Sequence, residues 1–233
     1  MKRLFLSLAV LAASATAASA QVEIGIKISP AITSLRAESP SATAFASESS
    51  KLSFGGGLIV DYFFGENYAF STGLFLTGKG GTISYNDKNP PYLPGTPQAG
   101  VRVNQKIATQ YLEVPATIKL FTNELAPATR LYFQLGGSLA VPIATRINGE
   151  KFYQDPYDNN NETSASDHVF DIDINALLGA GVEYQLGRST KALAGISYHR
   201  GLVDLDRYFE KTRGFTDVTI KNSVFALDLG MKF

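Results

Sequence analysis

Cysteine is absent from the 233-residue sequence. That excludes a disulfide framework, thiolate chemistry and lipid attachment to a cysteine behind a leader peptide. Histidine is scarce, with only His168 and His199. Charge is sparse at 18%, and 21 Lys+Arg balance 21 Asp+Glu. There is no basic excess of the kind that holds nucleic acid. No G-x-S-x-G, no H-E-x-x-H and no Gly-rich phosphate loop opening a helix occurs. Beyond residue 20 no apolar run is long enough for a membrane helix. Yet 45% of the residues are hydrophobic, so a large apolar surface has to be covered.

The first twenty residues read as a leader. Lys2 and Arg3 form a basic start, residues 4–13 a short apolar core, and Ala18-Ser19-Ala20 an A-x-A cleavage site. This predicts a secretory signal peptide over 1–20 and a single mature domain over 21–233. Without Lys2 and Arg3 the mature chain would carry 19 basic against 21 acidic residues.

The dominant pattern after residue 20 has period two. In "YLEVPATIKLF" (111–121), Leu112, Val114, Ala116, Ile118 and Leu120 alternate with Tyr111, Glu113, Pro115, Thr117, Lys119 and Phe121. Residues 169–185 and 225–233 alternate in the same way. Successive side chains of a strand point to opposite faces, so each segment has one apolar and one mixed face. Eight such segments can be placed, near 22–30, 51–64, 68–85, 105–121, 130–147, 168–186, 191–204 and 219–233. The connections at 65–67, 123–129 and 187–190 are short. Those at 31–50, 86–104, 148–167 and 205–218 are long and polar or rich in Pro and Gly. The expected fold is all-β: an eight-stranded antiparallel up-and-down transmembrane β-barrel, with short periplasmic turns and long extracellular loops. Its location would be the bacterial outer membrane.

A soluble barrel would turn its apolar face inward. Three features favour the inverted arrangement. The mixed face is rich in Gly, Ser and Thr, with few charges for a water-facing exterior. Aromatics gather at the short-turn ends (Tyr62, Phe64, Tyr68, Phe70, Phe121, Tyr132, Phe133, Tyr184 and Phe233) like an interfacial girdle. The sequence also stops at Phe233, within an alternating segment. With the apolar face on lipid, Glu23, Lys27, Asp61, Glu113, Lys119, Asp171, Asp173, Glu183, Asp228 and Lys232 become lumen charges. A charge on the lipid face would instead cost about 2–4 kcal/mol near the midplane. Pro115 cannot donate to a ladder, so a bulge or a missing bond is expected there. Gly55, Gly57, Gly136, Gly179 and Gly181 would make room for large lumen neighbours or permit sheet curvature.

Candidate chemistry is thin. Ser197 and His199 share a face, but a triad needs an acid as well, and polar lumen packing is the simpler reading. Asp171, Asp173 and Asn175 share a face too. The intervening Ile172 and Ile174 make this a strand, not a calcium loop, so an acidic lumen ladder is the first reading and a cation site the alternative. "DPYDNNNET" (155–163) reads as a solvated external loop. No catalytic, cofactor or metal residues are expected.

"YLEVPATIKL" resembles the "YLEIP" strand of outer-membrane β-barrel proteins of Bacteroidota, the group that includes PorT-type and "porin family" barrels. "FALDLGMKF" (225–233) resembles the aromatic-ended terminal signature of outer-membrane proteins. The resemblance implies an eight-stranded barrel, with Phe233 read by the barrel assembly machinery. Eight strands enclose a lumen that side chains fill. The expected function is therefore non-enzymatic binding through the extracellular loops, to a ligand or a protein partner. The alternatives are a small transport or secretion-accessory barrel and, behind it, a lipid-modifying enzyme. The partners expected are outer-membrane lipid and the assembly machinery. Closure pairs the first and last segments. A register with Lys27 opposite Asp228 and Glu23 opposite Lys232 would place Ile26 opposite Leu229.

Overall fold

The computed structural model describes residues 22–39, 44–87, 101–155 and 161–233. The expected leader, the centre of the 86–104 loop and part of 155–163 lie outside the described residues. Among the described residues there are eleven strands: β1 (Val22–Glu38), β2 (Ala46–Ser49), β3 (Lys51–Gly65), β4 (Tyr68–Asp87), β5 (Val101–Phe121), β6 (Thr129–Ile147), β7 (Phe152–Asp155), β8 (Asn161–Ser164), β9 (Asp173–Gln185), β10 (Lys191–Gly201) and β11 (Thr219–Lys232). A 3-10 turn covers Ala165–His168.

Strands β1, β3, β4, β5, β6, β9, β10 and β11 pair antiparallel with their neighbours, and β11 returns to β1. They form the closed eight-stranded ring. Strand β2 extends the upper end of β4, and β7–β8 is a separate hairpin. Every backbone group in lipid needs an internal partner, and closure supplies one at the seam. No helix among the described residues is long and apolar enough to cross a membrane.

The apolar face points outward. Leu112, Val114, Ile118 and Leu120 of β5, and Phe225, Leu227, Leu229 and Met231 of β11, are all exposed. Each apolar band is about ten residues long, the span of a tilted transmembrane strand. Past the band the outward residues turn polar: Ser34, Arg36 and Glu38 on β1, and Arg102, Asn104 and Lys106 on β5. Strands β1, β4 and β5 therefore continue well beyond the lipid, and β1 runs to Glu38, past the expected end near residue 30.

Prolines sit where the ladder lapses. Pro115 stays in register with Ser138 of β6, while β4–β5 pairing skips Gly73 and Leu74 without any shift. Its missing N–H thus costs a local bond and produces no bulge. Thr72 Oγ1 donates to the Pro115 carbonyl at 2.7 Å. Pro30 occupies a similar gap in the β1–β11 ladder. The one shift between β5 and β6 lies by Tyr111, opposite Pro142.

Three sequence expectations need correction. The seam register places Ile26 opposite Met231, two residues from the expected Leu229. Phe121 and Tyr132 are buried inside the barrel, while the other girdle aromatics are exposed on its wall. Asp171 precedes β9, is exposed, and pairs with Arg207 at 3.0 Å. It is not a lumen charge, because β9 enters the barrel only at Asp173.

Candidate functional site: the lumen network and the long-loop mouth

The lower lumen, towards the short turns, is a charge network on an aromatic floor. Asp61 of β3 accepts Lys119 of β5 at 2.9 Å and Lys232 of β11 at 2.9 Å. Lys232 also reaches Glu23 at 2.8 Å and Glu183 at 2.5 Å. Lys191, outside the expected set, closes on Glu23. Below them, Lys119 lies 5.2 Å from the Tyr132 ring centre and Lys232 lies 5.5 Å from that of Phe121. The inward turn of these two aromatics follows from this contact, since a ring face attracts an ammonium. Gly181 makes room for Tyr132: a Cβ there would stand 2.6 Å from the ring.

The expected charge pairs at the seam form, but diagonally. Lys27 meets Asp228 at 3.1 Å, and Glu23 meets Lys232. Both pairs are displaced from direct opposition by the same two residues. Long side chains can bridge a diagonal in a sheet, so complementary charge alone did not fix the register.

The middle lumen centres on Glu113, which is 2% exposed. It accepts Thr77 Oγ1 at 2.8 Å, Ser138 Oγ at 2.5 Å and Lys79 Nζ at 3.1 Å. Lys79, another residue missed in the sequence, also holds Asp173 at 3.1 Å. Asn222 Nδ2 donates to the same Asp173 carboxylate at 3.0 Å. His199 Nδ1 lies 3.2 Å from Glu113, and its Nε2 lies 3.4 Å from Ser197 Oγ. The missing acid of a serine triad is thus present, supplied from a strand across the barrel. Ser197 is 2% exposed. The cavity beside Glu113 measures 40 Å³, room for about one water. Triad chemistry also needs a reacting carbonyl about 3 Å from the hydroxyl.

Above the lipid band the interior changes character. Leu35, Ile83, Tyr85, Ile107 and Ile220 of the strands meet Phe45, Val169, Leu205, Tyr208, Phe209 and Phe215 from the connections in one buried apolar cluster. Phe45, Tyr85, Phe209 and Phe215 contact one another edge to face or stacked. The segment 202–218 supplies most of this cork. Its turn is set by Asp206, whose carboxylate accepts the N–H groups of Tyr208, Phe209 and Glu210 at 3.0–3.2 Å. That Asx-type turn aims the two aromatics downward. The aromatics Tyr208, Phe209 and Phe215 in an otherwise polar "DRYFEKTRGF" were the available sequence signal.

Around the cork lies a ring of polar contacts. His168 is buried and stacks on Tyr208 at 3.8 Å. Its Nε2 meets the Tyr153 hydroxyl. Tyr208 donates to Asp155 at 2.6 Å, and Arg213 holds Asp87 at 2.5 Å. Burial pushes the His168 imidazolium down to a pKa of about 4. No group of three or more metal-ligating side chains occurs among the described residues.

A family model described as an outer membrane protein beta-barrel domain matches residues 13–207. The chain belongs to this family. With the closed ring and its outward apolar band, this places the protein in the bacterial outer membrane. No curated protein matches the chain. Among solved structures it is similar to OprG from Pseudomonas aeruginosa (12% identity, 91% of this chain and 97% of that one, TM-score 0.48). It is also similar to Neisserial surface protein A (11%, 91% and 95%, 0.46) and to Ail of Yersinia pestis in complex with a heparin analogue (14%, 91% and 99%, 0.42).

Proposed function

We propose that this outer-membrane barrel acts by binding, without catalysis, through its long-loop end, which faces the cell exterior. The observation that carries this reading is the filled interior. The lumen charges Glu23, Lys27, Asp61, Glu113, Lys119, Asp173, Glu183, Asp228 and Lys232 engage one another or nearby side chains, and the cork lies above them. That weighs against a conducting pore and against the transport reading suggested by the PorT-type resemblance. It leaves the mouth, carried by a rigid scaffold, as the place where chemistry meets solution. Phe233, exposed at the end of the last alternating strand, fits the role of assembly signal.

Limited proteolysis of intact cells tests the orientation. Cleavage within 148–167 is expected without rupture of the outer membrane; cleavage only after rupture would reverse the topology. Purified protein in planar bilayers should show no stable conductance. Steady channel openings would favour transport. Serine-directed fluorophosphonate should leave the folded protein unlabelled, and labelling at Ser197 would favour the enzyme reading.

A further inference from the structure

A cavity of 270 Å³ opens at the long-loop mouth, beside the cork. One wall is the inner face of β5 near Gln105. The other comes from the turn after β6, the β7–β8 hairpin and segment 202–218. Pockets for drug-sized molecules begin near about 300 Å³, so this one suits a smaller guest of roughly one ring.

Its lining restricts the chemistry. Tyr85, Tyr153 and Tyr208 contribute aromatic surface. Three charges line it: Arg213 is engaged by Asp87 and by the faces of Tyr85 and Phe215, Asp155 is engaged by Tyr208, and Glu150 stands out at the solvent-exposed rim. Neither Arg213 nor Asp155 is set to take an ionic ligand. One group stands apart. Gln105 is 8% exposed, yet among the described residues its Oε1 has no hydrogen-bond partner. A buried amide oxygen left unpaired is costly, and this one lines the cavity. It calls for a donor from the guest. Asn104, Asn148 and Glu150 stand exposed at the rim with further polar groups.

We infer that this pocket binds one neutral sugar ring of a surface or environmental saccharide, a ring hydroxyl donating to Gln105 Oε1 and a C–H face packing on the tyrosines. A hydroxyl-bearing ring supplies both a donor and an apolar face, and tyrosine combines an aromatic body with a polar tip. A cation would meet the Arg213 guanidinium in the same cavity. The inference rests on the binding reading above and names the class of ligand.

The test uses the folded barrel in nanodiscs, with saturation-transfer NMR against the methyl pyranosides of glucose, galactose, mannose and N-acetylglucosamine. Binding of at least one is expected. Gln105→Leu should weaken it about tenfold, the loss of one buried hydrogen bond. The same change removes an unpaired polar group, so the free protein should be as stable or more so. Weaker binding together with unchanged or higher urea resistance separates recognition from misfolding. Tyr153→Ala should weaken binding as well, and Arg130→Gln at the opposite end should not. Binding of none of the four sugars, or equal binding by Gln105→Leu, overturns the inference and leaves solvent as the partner of Gln105. Binding of spermidine in their place would also overturn it. In either case the broader reading stands or falls separately, by whether protease treatment of the mouth on intact cells abolishes adhesion to immobilised glycan or protein surfaces.

Discussion

The Asp61 cluster yields a prediction with an unusual sign. Asp61 serves two ammonium groups, Lys119 and Lys232. Lys232 has two further carboxylates, Glu23 and Glu183. The carboxylate in hydrogen-bond contact with Lys119 is that of Asp61, at 2.9 and 3.1 Å, while Glu183 acts on it from farther off. Asp61→Asn therefore strands Lys119, which is almost fully buried, while Lys232 keeps its other partners. Removing one partner of a buried pair costs about 3–5 kcal/mol, because the other charge stays buried and uncompensated. Lys119→Met is milder, since Asp61 keeps Lys232. The loss of hydrogen bonds to a charged group is about 1.5–3 kcal/mol.

In the double variant no charge is stranded. Adding Lys119→Met to Asp61→Asn should then restore about 1–3 kcal/mol, although it deletes a second native side chain. The measurement is reversible urea unfolding into and out of phospholipid vesicles, followed by tyrosine emission and by the heat-dependent gel shift. The double variant should unfold at a higher urea concentration than Asp61→Asn alone. A double variant less stable than both singles, with the two losses additive, would refute the argument. Lys119 would then draw its compensation from water or from the Tyr132 ring.

Further outcomes follow from the same geometry. Cysteines at 26 and 231 should cross-link in the folded barrel in preference to 26 and 229, following the seam register; the reverse preference would restore the register in which charges stand directly opposite. Phe209→Ala should cost about 3–5 kcal/mol within the cork, seen as faster proteolysis of segment 202–218 while the gel shift of the barrel persists. His168 is held neutral, with its pKa at about 4 against an ordinary 6.5, so the unfolded cap takes up the proton first. Its contribution is intact above pH 6.5 and fades as pH falls towards 4, by on the order of 2–3 kcal/mol. Asp206, pushed up to about 6 by burial, runs the opposite way over an overlapping range. The difference in cap protection between wild type and His168→Gln isolates the histidine, and a difference independent of pH would contradict it.

The sequence exposed the barrel because lipid imposes a strict rule on it. On β5 and β11 every second residue in the band must be apolar, and a single charge there is expensive. Alternation is therefore legible residue by residue, as Leu112 to Leu120 show. The partners of the lumen charges were not legible. Glu113 meets Lys79, Ser138 and His199 from three other strands, and which strands face across a lumen depends on stagger and tilt that local pattern does not encode. Asp171 continued the alternation of Asp173 and Asn175 but fell just outside the strand, where solvent removes the selective pressure that makes the pattern informative. Phe121 and Tyr132 misled for a related reason. An aromatic at the end of a strand suits the interface from outside and suits a buried lysine from inside.

The two halves of the interior obey opposite rules, and the change comes at the edge of the lipid. Within the band the outer face is apolar, so the inner face can be polar provided its charges compensate one another, as around Asp61 and Glu113. Above the band the outer face meets water and carries Ser34, Arg36, Asn104 and Lys106. The strands there form an ordinary water-soluble structure, which needs an apolar interior. Phe45, Phe209 and Phe215 supply it from the connections. Tyr111 marks the junction. Its ring packs in the apolar cluster and takes the Lys79 ammonium at 5.1 Å, while its hydroxyl accepts from Asn222 of the polar network at 3.5 Å. The bulge beside Tyr111 falls where the strands leave the lipid, as expected if the backbone adjusts where one set of packing rules gives way to the other. The cork is thus the hydrophobic core of the projecting half, and sealing the lumen follows from folding that half in water.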